Sequence, residues 1–218
     1  MKNAMLCAKC EKRFNAPWSL KLNRFAISDR CHDCLPADEL KFNNWTWDPV
    51  MPMPIEFRNT DQARLPQNLQ ALITKKLFVD GRGLLIHGQS GLGKTRTAWI
   101  VLEKWWKEHD CPSIKTYTMR RLQNELEESH ERGKHMRTLN EVIECPMLFL
   151  DDLGKEKLTP RLASDLFSIV DERSVNHRPC LITTNFNGAL LSGWFPETEM
   201  GIAFVRRLKD YYDLVGSA

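Results

Sequence analysis

The sequence predicts an α/β fold in which a mainly parallel sheet lies between layers of helices. First, short apolar segments alternate with segments of helical periodicity from about residue 67 onwards. Second, a glycine-rich phosphate-binding motif lies directly between the first of these strands and the first long helix. Strands buried on both faces of a parallel sheet read as short, continuous apolar runs. The predicted strands are 83–88, 114–118, 147–152, 180–185 and 211–215, and the predicted helices are 95–108, 119–130, 135–144 and 160–174.

The composition is that of a globular protein. The 218 residues carry a formal net charge of +3, and 42% of them are hydrophobic and 27% charged. No stretch approaches 18 consecutive apolar residues, and the start "MKNAMLCAKC" lacks the apolar core of a signal peptide. We therefore expect a soluble, cytoplasmic protein with no membrane partner. Because the net charge is small, any nucleic-acid contact has to come from a local patch.

The chain divides into three predicted parts. Residues 1–35 hold four closely paired cysteines and little hydrophobic periodicity, which predicts a small zinc-binding module. Residues 36–66 contain closely spaced prolines in "WTWDPVMPMPIEF" and are expected to form an extended linker, because proline disfavours helices and central strands. Residues 67–218 form the predicted α/β domain.

The segment "GQSGLGKT" matches the pattern G-x-x-x-x-G-K-S/T at every fixed position. Its glycines let the backbone curl so that successive N–H groups point at phosphate oxygens, and the following helix N-terminus attracts anions. Lys94 is expected to reach the β and γ phosphates, and the Thr95 hydroxyl to contact Mg²⁺. A glycine-rich turn without a ligand is the alternative; the complete motif in this context favours ATP binding. The expected nucleotide-binding residues are Gly88, Gln89, Ser90, Gly91, Leu92, Gly93, Lys94 and Thr95.

The apolar strand "LFLDDLG" ends in two adjacent carboxylates, which are costly to bury without a partner. Asp151 is expected at the end of a strand beside the phosphate loop, where a carboxylate holds Mg²⁺. Asp152 occupies the position of a group that polarises the attacking water. The alternative for Asp152 is that it caps the following turn or pairs with Lys155.

Two further polar sites follow along the chain. "ITTN" ends the next strand, which places Asn185 to hold the attacking water or to contact the γ-phosphate; a turn-forming asparagine is the alternative. "GIAFVRRL" carries Arg206 and Arg207 after an apolar stretch, where a helix face could present them to a neighbouring subunit. An arginine supplied by a neighbour stabilises the charge that develops during phosphoryl transfer.

Taken together, "GQSGLGKT", "LFLDDLG", "TTN" and "RRL" resemble the DnaC/IstB-like branch of AAA+ ATPases over about residues 67–215. This branch includes helicase loaders and helper ATPases of transposons. The resemblance implies a five-stranded parallel sheet, Asn185 as the γ-phosphate sensor, and Arg207 as the arginine finger, with Arg206 second and Arg173 third. No helical lid is expected after the last strand. An extra helix within 119–144 is implied to contact single-stranded DNA, through Arg120, Arg121, Lys134 and Arg137; a solvated helix face is the alternative.

The motifs "CAKC" and "CHDC" form C-x2-C-x20-C-x2-C, a spacing that suits a tetrahedral Zn²⁺ site. Metal binding would supply the folding free energy that a segment of about 35 residues cannot obtain from a core. A redox pair or coincidence is the alternative. The module could bind a phosphate backbone or dock on a protein, and docking is favoured. The expected zinc ligands are Cys7, Cys10, Cys31 and Cys34.

These observations favour an ATP-dependent helicase loader that acts in DNA replication. The expected partners are a replicative ring helicase, single-stranded DNA and further copies of the chain in the ATP state. A helper ATPase for transposition shares every ATPase motif and is the first alternative. A nucleotide-gated DNA-binding regulator with little hydrolysis is the second.

Overall fold

The computed structural model describes residues 4–6, 13–15, 18–19, 24–25, 53–109 and 113–217, and the chain forms two compact units, residues 1–50 and 51–218. In the first unit, strands β1 (Ala4–Leu6) and β2 (Arg13–Asn15) pair antiparallel, as do β3 (Trp18–Ser19) and β4 (Arg24–Phe25). The four predicted zinc ligands lie outside the described residues, so the zinc site stays a prediction.

The second unit contains the predicted parallel sheet. Among the described residues, five strands form it in the order β6-β7-β8-β5-β9, and every neighbouring pair is parallel. The fold prediction is therefore confirmed. The strands are β5 (Gly83–Gly88), β6 (Ile114–Thr118), β7 (Met147–Leu153), β8 (Cys180–Thr184) and β9 (Tyr212–Ser217).

Helices connect and cover these strands. Three of them begin at a residue whose side chain accepts a backbone N–H bond, which satisfies an otherwise unpaired donor of the first turn: Thr118, Thr159 and Asn187. None of the helices that the structure describes is long and apolar enough to cross a membrane. The helices are α1 (Ile55–Arg58), α2 (Gln67–Thr74), α3 (Lys94–Glu108), α4 (Met119–Glu131), α5 (His135–Glu144), α6 (Pro160–Val175), α7 (Gly188–Trp194) and α8 (Thr198–Tyr211).

The apolar run of β7 is explained by burial on both faces of the sheet. Successive side chains of a strand point to opposite faces. Met147 and Phe149 accordingly join the hydrophobic cluster that includes α2 and α3, while Leu148 and Leu150 join the cluster that includes α4, α5, α6 and α8. All four side chains are at most 1% exposed, so the strand has no solvated face that would require alternation.

The structure corrects the C-terminal part of the predicted linker. Residues 53–66 contain α1 and a 3₁₀ turn at Gln62–Arg64, and they belong to the second unit. Met53 and Leu65 are buried in its core. The proline argument failed here because Pro54 lies at the N-cap of α1, ahead of the first turn, where it removes no helical hydrogen bond.

Candidate functional site

The phosphate loop lies between the end of β5 and the start of α3, as predicted. Gly91 and Gly93 have φ values of 85° and 82°, a region in which a Cβ atom is strained. Gly93 also lies against the core, because a Cβ atom there would stand 2.6 Å from Cδ2 of Leu65. The glycines are therefore required by the curvature of the loop and by its contact with the segment before α2.

Lys94 is the first residue of α3 and only 5% exposed. Its Nζ donates hydrogen bonds to the Gln89 carbonyl oxygen at 2.7 Å and to Oδ1 of Asn185 at 2.8 Å. Burial lowers the pKa of Lys94, and the charges of Asp152 and Asp151 oppose that shift. Further anionic groups near Nζ would stabilise the charged form of Lys94, and the phosphates of a nucleotide are such groups.

Thr95 and Asp151 meet across the cleft. The Thr95 hydroxyl donates to Oδ1 of Asp151 at 2.9 Å, and the Thr183 hydroxyl donates to the same oxygen at 2.6 Å. Burial raises the pKa of Asp151, and these two hydrogen bonds oppose the shift. A hydroxyl and a partly buried carboxylate side by side fit Mg²⁺, which prefers hard oxygen ligands. The structure thus places side by side the two residues that could hold the ion, and Mg²⁺ binding stays a prediction.

Asp152 lies at an irregularity in the sheet. Between β7 and β8 the register shifts from Leu150 opposite Ile182 to Leu153 opposite Thr184, so β7 carries one extra residue. Asp152 has a φ of 58°, which is unusual for a residue with a Cβ atom. Its Oδ2 lies 3.4 Å from Nζ of Lys155, so the pairing considered as the alternative does form. Both side chains are partly exposed, and such an ion pair is weak.

One cleft of about 930 Å³ is lined by Lys94, Thr95, Asp151, Asp152 and Asn185. One wall of the cleft comes from the segment that the sequence analysis assigned to the linker. The wall residues are Phe57, Asn59, Thr60, Asp61, Arg64, Leu65 and Pro66.

An aromatic stack attaches this wall to α3. The guanidinium of Arg96 lies 5.3 Å from the ring centroid of Phe57 and donates to the Glu56 carbonyl oxygen at 2.9 Å. The Phe57 ring in turn stacks on Trp99, with centroids 6.3 Å apart. Sequence reasoning missed Phe57 and Arg96. The one available signal was the position of Arg96 directly after the phosphate-loop motif.

The two predicted finger arginines lie on α8 and do not line the cleft of their own chain. Arg207 is half-buried, forms an ion pair with Asp171 and lies over the Tyr211 ring at 5.7 Å. Arg206 is exposed and lines a separate groove of about 240 Å³; it has no ion pair among the residues that the structure describes. Arg206 is therefore accessible to a neighbouring subunit as it stands, whereas Arg207 would first have to leave Asp171.

Arg173 was ranked as a third finger candidate, and the structure corrects that assignment. The side chain is fully buried, and its guanidinium donates to the carbonyl oxygens of Val142, Ile143, Cys145 and Pro179. It therefore ties the end of α5 to the residue before β8. A neighbouring subunit cannot reach it.

Three of the four predicted DNA-binding residues on α4 and α5 have partners within the chain. Arg120 pairs with Glu156, Arg137 pairs with Glu141, and Arg121 lies over the Tyr117 ring at 6.0 Å. Lys134 is exposed. DNA binding by these residues stays a prediction.

The residues of this site lie within a region that matches a known protein family. The sequence model of the family described as IstB-like ATP binding protein matches residues 53–216. The chain belongs to this family. The match begins at residue 53 and therefore includes the cleft wall as well as the phosphate loop.

Two proteins of different described roles are similar in sequence to this IstB-like chain. An ATP-binding protein of an insertion sequence in Mycobacterium tuberculosis is 24% identical over 155 residues, which cover 70% of this chain and 61% of the relative. The replicative helicase loader DnaI of Bacillus subtilis is 30% identical over 126 residues, 56% of this chain and 39% of DnaI. The chain thus matches less than two thirds of the length of either relative.

Solved structures confirm the fold of this IstB-like protein. The crystal structure of the DnaC helicase loader has a TM-score of 0.62 at 22% identity, covering 76% of this chain and 100% of DnaC. The crystal structure of DnaI also gives 0.62, at 19% identity, covering 77% and 96%. The second unit therefore has the α/β phosphate-loop fold of these two structures.

Proposed function

We propose that the cleft binds ATP with Mg²⁺ and hydrolyses it. The observation that carries this proposal is the convergence of Lys94, Thr95, Asp151, Asp152 and Asn185, from three separate segments, on one cleft. Lys94 and the loop amides bind the phosphates, and Thr95 with Asp151 holds Mg²⁺, which neutralises phosphate charge when bound. A turnover assay with and without single-stranded DNA tests the proposal. Negligible rates in both conditions would favour a nucleotide-gated regulator instead.

The attacking water is proposed to lie between Asp152 and Asn185. Asp152 accepts the proton of the water, and the Asn185 amide orients the water or the γ-phosphate. The Lys94–Asn185 hydrogen bond supports this arrangement, because it fixes the amide beside the group that binds the phosphates. Lys155 pairs with Oδ2 of Asp152, and because its side chain is 67% exposed, water can replace it at little cost.

Hydrolysis is proposed to require a second copy of the chain. Neither Arg206 nor Arg207 lines the cleft of its own chain, and both lie on α8. Arg207 is the proposed finger and would have to leave Asp171 to enter the site of a neighbour. Arg206 is the second candidate, and its exposure requires no such rearrangement. ATP would then promote self-association, which sedimentation with a non-hydrolysable analogue measures.

The biological role we propose is loading of a replicative ring helicase onto single-stranded DNA. The relation to DnaI supports it, as does an N-terminal unit separate from the ATPase unit. That unit would bind Zn²⁺ through Cys7, Cys10, Cys31 and Cys34 and dock on the helicase. Capture of the host replicative helicase by the full chain, and its loss in Cys7→Ser or Cys34→Ser, is the expected result. Metal analysis should find one zinc per chain in the wild type and none in the variants.

A second candidate function is that of a helper ATPase for a transposase. It is favoured by the insertion-sequence relative from Mycobacterium tuberculosis, which matches 70% of this chain. The same capture experiment separates the two roles. Retention of a transposase from the same genome, with no helicase retained, would replace the loader proposal.

A further inference from the structure

Thr183 and Thr184, the last two residues of β8, are both 0% exposed. A buried hydroxyl has one proton to donate and two lone pairs to accept, and leaving it unpaired is costly. Both threonines satisfy these requirements against β7 and the residues beside it, in the region where the register shifts. The two hydroxyls differ in their partners.

The hydroxyl of Thr183 joins the two acidic residues of the cleft. It accepts a hydrogen bond from the Asp152 backbone N–H at 3.0 Å and donates its own proton to Oδ1 of Asp151 at 2.6 Å. The direction of this chain is fixed, because an amide N–H can only donate and an ionised carboxylate can only accept. Because the two hydrogen bonds point in the same direction, each polarises the other and strengthens it. The Asp152 backbone and the Asp151 carboxylate are thereby both anchored to the Thr183 hydroxyl.

The same hydroxyl bridges the extra residue of β7. Three steps along β7, from Leu150 to Leu153, face two steps along β8, from Ile182 to Thr184. A bulge leaves part of the strand ladder unpaired, and an N–H withdrawn from water without a partner is unfavourable. The Thr183 side chain takes the place of that missing ladder partner for Asp152. The left-handed backbone of Asp152 is thereby held by a side chain of the next strand.

We propose that Thr183 is a positioning residue for both carboxylates of the site. Its single hydroxyl fixes the position of the Asp151 carboxylate relative to the Thr95 hydroxyl. It also fixes the backbone conformation of Asp152, and with it the direction of the Asp152 side chain. This inference rests on the proposed roles of Asp151 at Mg²⁺ and of Asp152 at the attacking water. Partners in the shell behind a metal ligand commonly change metal affinity or activity by about 10–100-fold when they are removed.

Thr184 supplies a matched control. Its hydroxyl donates to the Leu153 carbonyl oxygen at 2.6 Å and accepts from the Phe186 N–H at 3.0 Å. It is as buried as Thr183 and makes the same number of hydrogen bonds, but its partners are backbone groups only. Valine has the shape of threonine without the hydroxyl, so each Thr→Val change removes two hydrogen bonds and leaves the packing nearly unchanged.

The experiment measures binding of a fluorescent, non-hydrolysable ATP analogue to the full chain, with and without Mg²⁺. Thr183→Val and Thr184→Val should lower the melting temperature by similar amounts. Thr183→Val should reduce the Mg²⁺-dependent gain in affinity by about tenfold or more, while binding without Mg²⁺ changes little. Thr184→Val should keep the full gain, and Thr183→Ser, which retains the hydroxyl, should restore it.

Turnover supplies a second readout. Thr183→Val should lower kcat by about tenfold or more with a smaller change in KM, because Asp152 acts on the water and not on ground-state binding. Equal loss of the Mg²⁺-dependent gain in both valine variants, or an unchanged gain in Thr183→Val, would overturn the inference. If the wild type shows no turnover, the hydrolysis proposal fails, and the Mg²⁺ measurement still decides the role of Thr183.

Discussion

Nζ of Lys94 lies 2.8 Å from Oδ1 of Asn185, so the phosphate loop and the end of β8 are joined by a direct hydrogen bond. The two residues are 91 positions apart in the chain. Lys94 is buried and donates one of its hydrogen bonds to the Asn185 amide. A phosphate that draws the ammonium group towards itself would therefore weaken or move that hydrogen bond, and Asn185 would sense the phosphate through Lys94. This pair therefore links nucleotide binding to the proposed catalytic step.

Asn185→Ala is expected to lower kcat by about 10²-fold or more while nucleotide affinity stays within about threefold. The reason is that the amide acts on the attacking water or the γ-phosphate, whereas Lys94 and the loop amides provide most of the binding. Turnover and analogue binding measure the two quantities separately. An equal loss in both would assign Asn185 to binding.

Asn187→Ala is the matched control for that variant. Asn187 caps α7 through the Leu190 N–H at 2.9 Å and lies two residues from Asn185. Loss of an N-cap costs about 1 kcal/mol of stability. The control should melt at a lower temperature and still turn over ATP at nearly the wild-type rate.

Asp151→Asn is expected to raise the melting temperature of the nucleotide-free protein at pH 7. Burial raises the pKa of Asp151, so the folded state binds a proton on this carboxyl more readily than the unfolded chain does. Stability from that preference is present below the ordinary pKa of an aspartate and is lost as the pH rises through the raised pKa. Asparagine stays neutral and can still accept the hydrogen bonds of Thr95 and Thr183.

Thermal unfolding at pH 7 and at about pH 4 checks this prediction. The difference between wild type and variant should shrink at the lower pH, where Asp151 is increasingly protonated. Adding Mg²⁺ to the ATP-bound protein should stabilise the wild type further and have little effect on the variant. A lower melting temperature for the variant at pH 7 would contradict the prediction.

Arg207→Ala is expected to reduce turnover by about 10³-fold or more, with nucleotide binding nearly unchanged, since a finger contributes to the transition state only. Arg206→Ala should have the smaller effect. A mixing experiment tests action between subunits: Arg207→Ala retains a complete cleft, and Lys94→Ala retains the arginines. Restored turnover in the mixture is the expected result, and an inactive mixture would remove the finger assignment.

Arg173→Met is expected to destabilise the protein by about 3 kcal/mol or more, because several buried carbonyl groups lose their donor at once. Arg178→Met is the control, since Arg178 is partly exposed and shares only the Ile143 carbonyl, at 3.3 Å. Chemical denaturation measures both. Turnover by the folded fraction should be nearly normal in each variant, whereas removal of a finger would abolish it.

The sequence predicted those parts of the molecule that depend on local pattern. The five strands and helices α3 to α6 follow from hydrophobic periodicity, and the phosphate loop follows from fixed spacing, whereas α8 was not among the predicted helices. The side chain of Thr183 could not be predicted, because its partners depend on the register of two strands about 30 residues apart. Arg173 was misassigned for a similar reason: the carbonyl groups that bury it come from the end of α5, a helix distant in sequence.

The cleft wall shows a different source of error. Pro54 was interpreted as one mark of an extended linker, yet it lies directly ahead of a helix. Proline is compatible with that position, and its meaning depends on whether a helix follows within one residue. The contacts of Phe57 with Arg96 and Trp99 join residues about 40 positions apart and leave no local signal.

The wall has a practical consequence for anyone who separates the two units. A fragment that starts at residue 67 would keep every nucleotide-binding motif, yet it would expose Trp99 and lose Leu65 from beneath the phosphate loop. Such a fragment should aggregate or bind nucleotide poorly, and its failure could be mistaken for dependence on the N-terminal module. A fragment that starts at residue 51 keeps the wall, so it isolates the contribution of that module.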